Sequence, residues 1–291
     1  MSSKSAAIRL AQIRSIGMLG FGAFGRLIAA HLHPYFSLVA CDPALTAEDR
    51  PLAHIRFGNV GDVGSCDLVI LAVPVGDLPS ALREVRPHLR PGAIVVDVGS
   101  VKVRPIEVMK AELPPFVDIV GTHPLFGPQS ARDGIAGRKI AVCPVRGRSA
   151  PRIAAFLRHV LKLAVHIVSP EEHDRQAAIA QGVTHLIAKV LVRMEPLPRR
   201  LTTASFDLLM QATELVRHDA PSVFLAIERE NPYAAEVREQ FFLLAEATRA
   251  ELDQRDRPSV FSAITSASTS SADASMNGAP GNFAGASGPM K

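Results

Sequence analysis

At 291 residues the chain is longer than a typical single domain, so its length calls for two domains with sizeable cores. The formal charge of +4 is spread over scattered lysines and arginines, and aromatics make up only 5%, a balance that leaves no concentrated nucleic-acid footprint. Cys41, Cys66 and Cys143 stand far apart without metal-ligand spacing, which speaks against a disulfide framework and a cysteine metal centre.

The opening "MSSKSAAIRLAQIRS" has no apolar core followed by a cleavage site. No later apolar run approaches the roughly 18 to 20 residues that span a bilayer. The expectation is a cytoplasmic protein that uses neither membrane nor metal.

From Ile13 to Val168 short β-branched runs alternate with amphipathic stretches. The runs are "IRSIGML", "SLVACD", "DLVILAV", "AIVVDV", "VDIVG", "KIAVCPV" and "AVHIVS". Continuous apolar runs suit strands buried on both faces, and the intervening segments suit crossover helices. Residues 13–168 are therefore expected to form an α/β domain of the Rossmann type, a doubly wound parallel sheet.

The first run leads into "GFGAFG", in which Gly20, Gly22 and Gly25 form G-x-G-x-x-G between a strand and a helix. These glycines permit the tight turn, close backbone approach to a pyrophosphate, and close packing of helix on strand. The helix N-terminus adds free N–H groups and the positive end of its dipole. The expected cofactor contacts are Gly20, Phe21, Gly22, Ala23, Phe24 and Gly25, with Asp42 at the end of the second strand and Val73 and Pro74 after the third run. A carboxylate at Asp42 accepts from ribose hydroxyls and repels a 2′-phosphate, favouring NAD over NADP. Arg50 and Arg56 nearby leave NADP open.

Ligands of an open parallel sheet sit at the carboxyl ends of its strands. "LAVP", "DVGSVK" and "VGTHP" each follow a strand, so Pro74, Ser100, Lys102 and His123 gather on one rim. Ser100 and Lys102 have an alternative reading as residues that cap and solvate the following helix. His123, next to Pro124 and before Gly127 and Pro128, reads as an imidazole on a stiff loop, able to take a proton near neutral pH.

After Ser169 the pattern turns helical, giving an all-helical domain over 169–257. Ser169, Pro170 and Glu172 mark the start of a helix running to about Glu195. "EPLPRR" then breaks the chain, and further helices are expected near 204–218, 221–230 and 233–255. On the first helix Asp174, Ala178, Gln181 and His185 fall within roughly 40° of each other at about 100° per residue, the pattern of a wet cleft wall or of a solvent-facing side. His173 lies about 18 Å and 120° from His185 on a regular helix, so the two should not hold one small molecule. Gln181 and His185 are the expected substrate residues on this helix, with Lys102 on the rim, and His173 reads as structural. From residue 258 small polar residues dominate, which predicts a disordered tail over 258–291.

"GFGAFG", "DVGSVK", "GTHPLFGPQS" and "EEHDRQAAIAQGVTHLIAKVL", in this order, resemble the prephenate and arogenate dehydrogenases of tyrosine biosynthesis, particularly the arogenate-type branch of plants and some bacteria. The likeness covers roughly residues 14 to 255. It implies oxidation of a cyclohexadienol, prephenate or arogenate, with loss of CO2 and hydride transfer to NAD(P). By the match of "GTHP", His123 corresponds to the histidine that accepts the ring hydroxyl's proton. By "GSVK", Ser100 corresponds to a serine that bonds that hydroxyl and orients the histidine, and His185 to a second histidine near the substrate. A homodimer built largely by the helical domain is implied as well. One departure stands out: where prephenate-using members carry a "GFRD"-like segment, this chain reads "TASFDLLMQATELVRHD", with no arginine beside Phe206. Arg217 is a distant substitute, and Asp207, Asp174 and Gln181 are candidates for an amino group. The competing readings are another two-domain reductase working through Lys189, such as a β-hydroxyacid dehydrogenase or an imine reductase, and a nucleotide-sensing protein without catalysis.

Overall fold

Eight strands form one sheet in the computed structural model, which describes residues 13–45 and 54–253. They are β1 (Ser15–Leu19), β2 (Ser37–Cys41), β3 (Ile55–Phe57), β4 (Leu68–Leu71), β5 (Ile94–Asp97), β6 (Asp118–Pro124), β7 (Lys139–Arg146) and β8 (Ala164–Ile167), ordered β3-β2-β1-β4-β5-β6-β7-β8. The chain order reverses at β1 and β4, the switch point that opens a crevice at the strand ends. Leu19, Leu71, Asp97 and Gly121 are successive Cα partners across β1, β4, β5 and β6. The residues that follow them share one rim.

Helices α1 (Ala23–Leu32) and α5 (Ala150–His159) cover one face of the sheet. Helices α2 (Val60–Gly64), α3 (Leu78–Val85) and α4 (Val103–Glu112) cover the other. Strand periodicity explains both layers: Ile70 joins the first core with Met18, Ala29 and Phe156, while its neighbours Val69 and Leu71 join the second with Leu82 and Met109. Burying each such side chain stabilises the fold by about 1.5–3 kcal/mol.

The sheet departs from the all-parallel expectation at one pair, because β6 and β7 run antiparallel. A parallel return needs a crossover element, whereas residues 125–138 make turns at Gly134 and Gly137, both at positive φ, and send the chain straight back. This pairing also extends β6 beyond "VDIVG", so that His123 pairs with Ala141 and Pro124 with Ile140. His123 therefore stands at the end of a strand, not on a loop. Strand β3, only three residues long, is absent from the periodic pattern, and β8 is an exposed edge strand where a fully buried one was expected.

The helical segment begins with α6 (Pro170–Ala177), where Ser169 accepts from the Glu172 N–H as its capping pattern predicts. The helix then passes through a π segment, Ala178–Val183, into α7 (Thr184–Arg193). Helices α8 (Ala204–Arg217) and α9 (Pro221–Leu225), a second π segment at Ala226–Glu230, and α10 (Ala234–Asp253) follow. The chain divides into two compact units, one to Gln240 and one from Phe241. The expected tail at 258–291 lies outside the described residues, as does Arg50. Among the described residues no helix is long and apolar enough to cross a membrane, and no cluster of metal-ligating side chains occurs.

Candidate active site

The loop after β1 is shaped by three glycines acting in three ways. Gly20 sits at φ +89°, and a Cβ there would lie 2.4 Å from the carbonyl oxygen of Ala72, so only glycine permits the turn beside the loop after β4. A Cβ on Gly25 would meet the Gly20 carbonyl at 2.7 Å, which is why α1 can press onto its own entry loop. Gly22 is different. It is exposed, no protein atom lies within 4 Å of its hypothetical Cβ, and it precedes α1 without any side-chain cap.

The first N–H groups of α1 thus face open space, a cradle that fits a pyrophosphate. Asp42 closes the far side: its carboxylate accepts from the Phe21 N–H at 2.6 Å and the Ala44 N–H at 2.8 Å. The Phe21 ring, 1% exposed, packs edge-on against Phe57 and belongs to the core, so only its backbone is available to a cofactor. Arg56 pairs with Asp62 at the surface.

On the neighbouring rim, four segments assemble a buried polar cluster around His123. Its Nδ1 lies 2.8 Å from Nε2 of His173, and its Nε2 lies 3.4 Å from the Gln181 amide nitrogen. His173 Nδ1 lies 2.7 Å from Asp174 Oδ1. His123 is 4% exposed, His173 6% and Asp174 0%. Burial, the adjacent His173 and the Lys102 cation together hold the His123 imidazole well below its ordinary protonation range. At neutral pH it is an uncharged base.

His173, read from the sequence as structural, is therefore the side chain that touches His123. Asp174 does not line a wet wall with Gln181 and His185. It is buried, and its two oxygens accept from the backbone N–H groups of Lys102 at 2.7 Å and Val103 at 2.8 Å, capping α4 from 71 and 72 residues away. The π segment explains why: its wider turn breaks the 100° step on which the stripe was drawn. Gln181, inside that segment, still reaches His123. His185 is buried farther along, with Nδ1 at 3.0 Å from the Gln181 carbonyl and Nε2 at 3.2 Å from Asp219.

Lys102 departs from both of its readings, as substrate contact and as solvated cap. It is fully buried, and its ammonium donates to Asp97 and, at 2.7 Å, to the Thr122 carbonyl. That bond ties the end of β5 to the residue before His123. Burial pushes the Asp97 carboxyl up in spite of the pull of Lys102. Ser100 is half-buried on the same rim, but His173, not Ser100, is the hydrogen-bond partner that fixes the His123 ring. Arg217 is ion-paired with Glu195 and Glu214. Lys189 points its ammonium at the Phe224 ring, 5.4 Å from the centroid. Asp97, Thr122 and His173 were not singled out by sequence reasoning as site residues. Each carries its signal only in long-range contacts.

The arrangement offers a phosphate cradle and, on the same rim, one neutral imidazole base in a buried polar cluster. Comparison with known proteins agrees with it. Residues 43–169 match the family described as "Prephenate dehydrogenase, nucleotide-binding domain". Arogenate dehydrogenase 2, chloroplastic, of Arabidopsis thaliana is 30% identical over 260 residues, covering 86% of this chain and 71% of that protein. A probable arogenate/prephenate dehydrogenase of Methanocaldococcus jannaschii is 24% identical over 210 residues, and this chain spans 68% of itself and 46% of that relative. In fold, the chain is similar to the crystal structure of prephenate dehydrogenase from A. aeolicus in complex with hydroxyphenyl propionate and NAD+, with a TM-score of 0.67 and 19% identity over 89% of this chain and 97% of that one. With the arogenate dehydrogenase likeness extending over most of both chains, the protein belongs to the prephenate/arogenate dehydrogenase family.

Proposed function

We propose that the protein catalyses the oxidative decarboxylation of prephenate or arogenate with NAD as the preferred hydride acceptor. The observation that carries this reading is the buried, neutral His123 imidazole at the carboxyl end of β6, on the rim it shares with the glycine cradle. Gly20, Gly22, Gly25 and the first turn of α1 would hold the cofactor's phosphates, and Asp42 its ribose. Bound there, a nicotinamide supplies the acceptor for the hydride that leaves the ring carbon bearing the hydroxyl.

His123 Nε2 accepts the hydroxyl proton as the O–H bond breaks and the C=O bond forms. Loss of the ring carboxylate as CO2 then returns its electron pair to the ring, which becomes aromatic. The Gln181 amide nitrogen caps that lone pair at 3.4 Å until the substrate hydroxyl takes its place, and Lys102 holds the backbone before His123 through Thr122. Ser100 stands on the rim as the candidate contact to the hydroxyl, and His185 as a substrate-side residue on the helix.

We further propose a homodimer. Val190, Met194, Leu201, Leu208 and Leu215 all stand exposed on the helical segment, Leu201 at 85% and Leu208 at 65%. These exposed apolar side chains support the reading because a second copy would cover them, and light scattering of the purified protein reads the mass.

The activity is tested by a two-by-two assay of prephenate or arogenate with NAD or NADP, following reduced nicotinamide. Turnover of either substrate is expected, faster with NAD. Folded protein that binds NAD and turns over neither substrate would discard the reading, and dependence of any other activity on Lys189 would favour the rival reductases.

A further inference from the structure

Asp174 makes hydrogen bonds of one sense. Both of its oxygens accept from backbone N–H groups at the start of α4, and Oδ1 also faces His173 Nδ1. An ionised carboxylate has only acceptor sites, so His173 Nδ1 carries the proton of that pair. A neutral His173 then presents its lone pair at Nε2, the nitrogen facing His123 Nδ1 at 2.8 Å. His123 must donate there from Nδ1, which leaves Nε2 bare. The Gln181 amide nitrogen, a donor, faces that bare nitrogen. With a single proton on His173, every hydrogen position along the chain Asp174–His173–His123 follows from the one fixed end.

We propose that His173 and Asp174 form a positioning dyad that holds His123 in the tautomer with an unprotonated Nε2 and takes up the charge when that nitrogen gains a proton. This rests on the reading of His123 as the base of the dehydrogenation. The need for such a dyad is electrostatic. Burial disfavours an imidazolium, and the Lys102 cation stands close by, with its neutralising partner Asp97 behind it. Left alone, His123 would be a poor proton acceptor. With Nδ1–H bonded to His173, whose far side is bonded to the Asp174 anion, a proton arriving at Nε2 creates a cation that already has an acceptor. The same carboxylate caps α4, so the loop carrying Ser100, the helix after it and the base are fastened to one group.

The dyad is tested with His173→Leu and His173→Gln. His173→Leu is expected to lower kcat by about 100-fold or more, the size of a general-base contribution, with KM for substrate and cofactor nearly unchanged. His173→Gln keeps a carboxamide oxygen that can accept from His123 Nδ1, so part of the loss returns, and the acid limb of its kcat–pH profile is displaced from that of the wild type. The third readout needs no substrate: nitrogen-15 NMR of the wild-type histidines is expected to show His123 with the proton on Nδ1. A wild-type spectrum with the proton on Nε2, or a His173→Gln enzyme matching wild type in both kcat and pH profile, overturns the dyad. Should His173→Leu fail to fold, the wild-type spectrum and His173→Gln decide. A wild type that turns over neither substrate sinks the dehydrogenase reading, while the spectrum still reports the tautomer.

Discussion

The glycine cradle and the histidine cluster lie on one rim but are built on opposite terms. The cradle comes from six consecutive residues, Gly20 to Gly25, and works through backbone atoms and the space left where side chains are missing. The cluster comes from β5, β6, α6 and the π segment, and works through buried charged and polar side chains joined across as many as 72 residues. Local backbone chemistry tolerates little substitution but leans on few partners, the Asp42 carboxylate and the Cys41 carbonyl. A long-range polar network requires every partner, because each unpaired buried group costs about 1–3 kcal/mol.

The largest effect should come from removing the base. His123→Asn is expected to lower kcat by about 10²- to 10⁴-fold while NAD binding stays within error, since the cradle lies on other strands. Steady-state kinetics with a parallel calorimetric titration of NAD reads both. Loss of NAD affinity together with turnover would show that the two regions are one structural unit, and would break the comparison.

The next effect is on stability. Lys102→Met leaves the buried Asp97 without its cation. Breaking one side of such a pair costs about 3–5 kcal/mol, measured as a lowered denaturant midpoint. A shift below about 1 kcal/mol would place Lys102 outside the network that we describe.

How much of this was legible beforehand follows the same division. The glycine fingerprint, the strands other than β3 and the helices after Ser169 are periodic or local signals, and they appear where the patterns place them. The antiparallel β7 was hidden because an apolar run reads the same in either direction, and only the turn residues at 125–138 carry the sense. His173 was hidden for a sharper reason. A regular-helix projection assumes one angular step throughout, and the Ala178–Val183 segment does not keep it. The projection placed the substrate contact at His185 and left His173 as structural. The histidine bonded to His123 is His173, adjacent to a carboxylate that the sequence shows only as one polar residue among many.

A matched pair of glycine substitutions sharpens the comparison at smaller cost. Gly20→Ala forces a side chain into positive φ and against the Ala72 carbonyl, a strain of about 1–3 kcal/mol that should lower the melting temperature. Gly22→Ala meets no protein atom, so its melting temperature should match wild type, while its affinity for NAD falls roughly tenfold because the added methyl occupies the phosphate's approach. Equal NAD affinity in Gly22→Ala and wild type would remove the pyrophosphate from this loop.

The smallest effect is a slope, and its sign is fixed by burial. The folded protein holds His123 below the usual imidazole value of 6.5, so between those two limits the unfolded chain binds a proton that the native state refuses. Stability linked to this group is complete above about pH 6.5 and is lost as the pH falls, by up to about 1.4 kcal/mol per pH unit. Urea unfolding of wild type and His123→Asn at pH values from 7 to 5 should give curves that approach each other toward acid, the wild type losing stability faster. Curves that stay parallel would mean that His123 gains its proton as readily in the folded protein as in the unfolded chain. His173 and Asp174 would then compensate fully for burial and for Lys102, and the folded cluster would be as hospitable to an imidazolium as water is.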